Sequence, residues 1–296
     1  MKAIYRVLMP AIFLSASAVA SAAQARLDVA RIEQATGLHG TFNQDEGVFK
    51  VTLPRTDIRP TVGGVKLVPD QGLGAWMAFT QSDGHVMAMG DIVLLENEVN
   101  PVMTAALDAG VHVTALHNHF SWDIPRVMFM HVEAVGDEDS VARGAGRVFE
   151  ALREVMRNPP SAPSFGTAAA AGSLNGEAIA AALGQRGSMS KGVYKVTIGR
   201  KASMDGMPIG KEMGVNTWAA FAGDDQHAVV DGDIAMHEDE VQDVLKALRA
   251  GGINVVAIHN HMIGESPRFV FLHYWGMGPA ADLAHTLRNA FDRQHG

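Results

Sequence analysis

The 296-residue sequence contains no cysteine. That excludes disulfides, thiolate nucleophiles and sulfur metal ligands, and it leaves no cysteine to carry a lipid behind a cleaved leader. Phosphate-loop chemistry is also missing: Gly63-Gly64 and Gly72-x-Gly74 are not followed by Lys-Ser/Thr. There is no Gly-x-Ser-x-Gly nucleophile elbow. Positive charge is scarce, with 24 Lys and Arg against 32 Asp and Glu, a formal charge of −8. An acidic chain argues against nucleic acid and anionic membrane surfaces as partners.

One apolar run interrupts this ordinary composition. Val7 to Ala20 is broken only by Pro10, Ser15 and Ser17, and it is shorter than the ~20 residues of a membrane-spanning helix. Lys2 and Arg6 precede it; the small-x-small sites Ala18-Val19-Ala20 and Ala20-Ser21-Ala22 follow. This is the pattern of a secretory signal peptide over residues 1–22, cut after Ala22. Losing Lys2 and Arg6 takes the charge to −10. We expect a free periplasmic or secreted protein with no stable membrane insertion. In an oxidising compartment without disulfides it must rest on its core, which 47% hydrophobic residues and this length allow.

Histidine is plentiful, at 13 residues, and its placement is repeated. A shift of 142 residues aligns Trp76–His131 with Trp218–His273 without a gap and matches 23 of 56 positions. Gly47–Thr52 matches Gly192–Thr197 at a shift of 145. The chain is internally duplicated. We divide it into repeat half 1 (residues 23–158), a Pro/Ala/Ser/Gly-rich linker (159–173) and repeat half 2 (174–296).

Each half reads alike. A helix (about Asp28–Thr36; Glu177–Leu183) leads into a strand (Val48–Leu53; Val193–Ile198) and a Gly-rich loop. Two strands follow, through Trp76–Phe79 and Val86–Met89, or Trp218–Phe221 and Ala228–Val230, with Asp83-Gly84 and Asp224-Asp225 as turn residues. Apolar residues at helical spacing over Glu96–Ala109 predict a helix ended by Gly110. Strands over Val111–Phe120 and Arg126–Glu133 and a helix over Ser140–Arg157 (Ala280–Phe291) close the unit. The expected class is α/β of the α+β kind: two similar halves, each a mostly antiparallel sheet with flanking helices. They should relate by a pseudo-twofold axis with the histidine strands near the centre.

Strand geometry gives the histidines a purpose. Alternate residues share a face about 7 Å apart, so His117 and His119 point the same way. An antiparallel partner pairing His117 with His131 would bring a third ring within about 5 Å. Three imidazoles then reach one divalent ion, with zinc first and iron, manganese or copper also suited. His259, His261 and His273 repeat the set. The plain alternative is a group of hydrogen-bonded core histidines, though three crowded rings without an ion are costly to satisfy.

Other residues have competing roles. His85 and His227 are fourth ligands or surface residues. Asp123 and Glu265, in equivalent loops, are catalytic bases acting on a metal-bound water or partners of Arg126 and Arg268. Those arginines bind an anionic substrate or neutralise the acids. Asn118 and Asn260 face away from their neighbouring histidines and bond loop backbone. Trp76 and Trp218 pack in the core or line a sugar cleft.

The repeated His-Asn-His-x(5)-Pro-Arg-x(4)-His, with Gly-Asp-Ile ahead of it and Phe-Leu-His-Tyr-Trp-Gly around His273, resembles the LppY/LpqO family of bacterial envelope proteins. The likeness spans nearly the whole mature chain. It implies export and a duplicated domain, but no reaction. The lipoprotein members carry an acylated cysteine that this chain lacks. The expected activity is that of a metal-dependent hydrolase acting on an unidentified small molecule or envelope ligand. The alternative is a non-catalytic periplasmic metal- or ligand-binding protein.

Overall fold

The computed structural model describes residues 27–161 and 174–295. The expected signal peptide and most of the expected linker lie outside these residues. Twelve strands make one antiparallel sheet. In half 1 they are β1 (Gly40–Asn43), β2 (Val48–Pro54), β3 (Gly74–Ser82), β4 (His85–Leu95), β5 (His112–Asn118) and β6 (Val127–Gly136). In half 2 they are β7 (Ser188–Ser190), β8 (Val193–Gly199), β9 (Asn216–Gly223), β10 (Ala228–Met236), β11 (Asn254–His259) and β12 (Val270–Gly278). Helices α1 (Val29–Thr36), α2 (Glu96–Asp108) and α3 (Glu138–Arg157) are matched by α4 (Gly176–Leu183), α5 (Val241–Ala250) and α6 (Ala280–Phe291).

The strand order is β1-β2-β3-β4-β6-β5-β11-β12-β10-β9-β8-β7. Read from either end it gives the same sequence of equivalent strands. The two histidine strands, β5 and β11, meet at the centre. The class is the α+β arrangement expected from the duplication, in one continuous sheet. One face carries the helices: Ile92, Leu94, Met130, Val132, Ile258, Leu272 and Tyr274 share a single apolar cluster with residues of all six helices. Among the described residues no α-helix packs on the other face. There the 55–73 and 200–215 arms cover only the strand ends, over small clusters around Phe129 and Phe271.

Sequence alternation foresees β3 and β4 as shorter than they are. After Gly90 the run Asp91–Leu95 continues β4 because Ile92, Val93 and Leu94 are buried on both faces. That extension brings Asp91 level with the histidines.

The central junction is narrow. Beta-strands β5 and β11 pair through Leu116 and Ile258. Each strand has a bulge, at Val113/Ala115 and Val255/Ala257, which leaves backbone groups without a ladder partner. Helices of the opposite half supply partners. Gln242 on α5 accepts from Val113 N at 3.0 Å and donates to Val113 O at 2.9 Å. Asn100 on α2 accepts from Val255 N at 2.9 Å and donates to Val255 O at 3.3 Å. Gln242→Ala strips both partners from a buried residue and should cost about 1–3 kcal/mol of stability. An unchanged denaturation midpoint would show that the clamp contributes nothing.

Candidate metal centre

The histidines do converge, in a register two residues from the expected one. His117 lies opposite Phe129, and His131 opposite Ala115, beyond a bulge in β5 that moves the pairing by one residue. An offset of two keeps the same face. The ring centroids of His117 and His119 are 5.2 Å apart, and those of His117 and His131 5.1 Å. In half 2 the corresponding distances are 5.2 Å and 4.8 Å. His119 stacks on Phe129 at 3.3 Å and His261 on Phe271 at 3.5 Å. Both phenylalanines are buried and form a rigid floor.

The fourth member is an aspartate. Asp91 is the cross-strand neighbour of His131, and Asp233 that of His273. Both carboxyls are buried, and one oxygen of each has no hydrogen-bond partner. Asp233 Oδ2 lies 3.1 Å from His261 Nε2. Ligand atoms of Asp233, His259 and His261 all lie within 4.8 Å of one another, a spacing one ion can bridge. His273 adjoins this group from β12. The repeated Gly90-Asp91 and Gly232-Asp233 pairs were visible among the matched positions. Nothing in the alternation told that β4 runs beside β6 and β10 beside β12.

Backbone carbonyls orient the half-2 rings. His261 Nδ1 is 3.3 Å from Gly214 O, and His273 Nδ1 is 3.2 Å from Gly232 O. A carbonyl only accepts, so each Nδ1 carries a proton, while the Nε2 of His261 meets Asp233 Oδ2. This is the outer-shell arrangement that prepares imidazoles for a metal.

The buried acids and rings perturb one another electrostatically. Burial pushes the Asp233 carboxyl above its usual range, although His273, His261 and His259 pull it down. Burial lifts Asp91 likewise, opposed by His131, His119 and His117. Burial lowers His259 and His119, against the pull of Asp233 and Asp91 respectively. Both rings are therefore held neutral, ready to ligate.

The remaining expected site residues stand elsewhere. Asp123 Oδ2 accepts from Val127 N at 2.7 Å, and Glu265 Oε1 from Phe269 N at 3.0 Å. Both acids are buried. Each fastens its loop to the start of the next strand through one oxygen, and Asp123 Oδ1 has no hydrogen-bond partner. Nor do they pair with the arginines: Arg126 lies 3.8 Å from Glu96 and Arg268 3.5 Å from Glu238. Those glutamates sit at the helix starts, one turn from the loops. His227 is exposed beside Asp224, and His85 is exposed at the far end of β4. Neither is a fourth ligand, because six residues of strand, about 20 Å, separate each from the aspartate. Asn118 donates to Phe120 O as expected of a loop-binding residue. Trp76 and Trp218 are outside the core. Each stands half-buried on the helix-free face, opposite Asp91 or Asp233, with a lysine ammonium over the ring at 4.0 Å (Lys50) or 4.3 Å (Lys195).

A cavity of about 700 Å³ runs along the junction. It reaches from His112 and Glu133 of half 1 to His259, Asn260 and Arg268 of half 2, past Asp243 and Lys246. Of the half-2 cluster, His259 lines this groove, which both halves build.

The chain belongs to the family described as Domain of Unknown Function (DUF1259), whose model matches it twice, over residues 30–151 and 177–293. No curated protein matches it. Among solved structures, a trimeric bacterial microcompartment shell protein, PduB, is 13% identical over 86% of this chain and 89% of that one, with a TM-score of 0.22.

Proposed function

We propose that this chain, which carries its family's domain twice, is an exported metal-dependent hydrolase with its principal centre at Asp233, His259, His261 and His273. The buried Asp233 carboxylate supports this most directly. One oxygen meets an imidazole and the other is an orphan acceptor. Buried acceptors without partners are rare and need a reason; a divalent cation among these donors would be one. The donor set of three imidazoles and a carboxylate suits zinc first, then iron, manganese or copper. A bound ion would supply Lewis acidity.

The chain's own groups do the rest. The Gly214 and Gly232 carbonyls hold two rings by Nδ1. The Phe271 floor excludes water from beneath. Substrate lies in the junction groove, where Arg268 would hold an anionic group. Export follows from the leader pattern and the resemblance to the LppY/LpqO envelope proteins. One observation favours a second reading, a non-catalytic metal-binding protein of the envelope: the loop acids Asp123 and Glu265 are tied to backbone.

Metal analysis of untagged protein tests the centre. Near-stoichiometric ion, lost in His259→Ala, is expected. Protein purified from metal-replete cells with almost no ion would reject both readings. Chelator-sensitive turnover of a phosphoester, carboxylester or amide panel separates the enzyme from the binding protein.

A further inference from the structure

We infer that the two histidine clusters are unequal metal sites: a tight one in half 2 and a weaker, exchangeable one at Asp91, His117, His119 and His131. This rests on the metal reading above. The clusters share ligand types and backbone topology but differ in how the ligands are held. In half 2, Asp233 already touches His261 Nε2, and two rings are anchored to carbonyls. Among the described residues of half 1, Asp91 has no histidine contact and neither His119 nor His131 has a carbonyl anchor.

Two substitutions between the copies explain the difference. Asn216 Nδ2 donates to Lys211 O at 2.7 Å and fastens the 211–214 turn, which presents Gly214 O to His261. The equivalent position in half 1 is Gly74, which has no side chain to do this. Tyr274 Oη donates to Trp218 O at 3.0 Å, passing under Gly232 at the point where its carbonyl meets His273. Its counterpart is Val132, which cannot bond. Half 2 therefore holds its ligands in place before any ion arrives. Half 1 must order them on binding, and that ordering lowers affinity. Outer-shell partners are each worth about 10- to 100-fold in metal affinity.

Titrating the metal-free full-length mature protein with cobalt(II), read by its d–d absorption, tests this. Two phases of one equivalent each are expected, the first at least about 10-fold tighter. Asp233→Asn should delete the tight phase and leave the weak one; Asp91→Asn should do the reverse. Asn216→Gly, which gives half 2 the half-1 residue without touching a ligand, should narrow the gap. It keeps the test decisive if Asp233→Asn fails to fold, which far-UV circular dichroism would show. Two equivalents in one phase, a single equivalent, or loss of the tight phase in Asp91→Asn would overturn the inference. Absence of any cobalt binding would instead remove the metal reading beneath it.

Discussion

Asp233→Asn is expected to stabilise the metal-free protein while abolishing tight metal binding. Asp233 is almost fully buried, and burial raises its carboxyl above the ordinary value of 3.8. An acid whose folded pKa is raised binds protons more readily in the native state than in the unfolded one. Stability therefore falls as pH rises from about 3.8 through the folded value, and the whole penalty is present at neutral pH. The neutral amide has the same shape and removes that penalty. Buried functional groups commonly trade stability for activity on the scale of about 0.5–2 kcal/mol. Each kcal/mol moves the melting temperature by about 2–4 °C in a protein near this size. Melting in chelator at pH 7 should thus give a rise of a few degrees, shrinking toward pH 4. With zinc present the order should invert, because only the wild type gains from binding. A lowered melting temperature in chelator, with metal binding intact, would remove Asp233 from the site.

The largest loss of stability should come from Glu240→Ala, at about 3–5 kcal/mol. Arg200 and Glu240 form a buried pair with two bonds of 3.1 Å. Glu240 also accepts from His237 N at 2.8 Å and His295 N at 2.5 Å. Removing it leaves the guanidinium buried without a carboxylate. The half-1 counterpart is Arg55 with Glu98, bonded at 2.8 and 3.0 Å. Arg55 keeps a second carboxylate, Asp57, at 2.9 Å, so Glu98→Ala should cost less. Comparing the two variants in one denaturation series checks the reasoning, and equal losses would contradict it. Burial pushes the Glu240 carboxyl up, but the Arg200 bonds and the two N–H groups outweigh it, and the net shift is downward. This contribution is therefore full above pH 4.5 and fades as pH falls below it.

Much of this architecture was legible in residue order. Helix ends were marked by their caps: Asp28 and Asn175 accept from the first-turn N–H groups of α1 and α4, as their side chains suggest. The Asp83-Gly84 turn has positive φ at both residues, as Asp-Gly favours. The duplication announced two equal halves and the histidine face. These signals are local. Alternation, capping and turn chemistry act within a few residues, so they can be read without neighbours.

The site was legible only in part. His117 and His119 share a face because parity along a strand is a local property, and His131 joins them through the strand pairing. Their exact register was not readable, because it depends on a bulge clamped by Gln242 from the other half. Asp91 and Asp233 were visible as repeats but not as neighbours of the histidines, since their placement comes from β4 pairing with β6 and β10 with β12. Asp123 and Glu265 stood closer to the histidines in sequence than in chemistry. In the folded chain each gives one oxygen to a backbone N–H four residues on. Residue order thus carried the elements, the doubling and the three-histidine face. Strand neighbours and cross-half hydrogen bonds decided which carboxylates stand beside the histidines and that the two halves form a single sheet. Contacts between distant segments depend on how the chain closes on itself, and no local pattern encodes that closure.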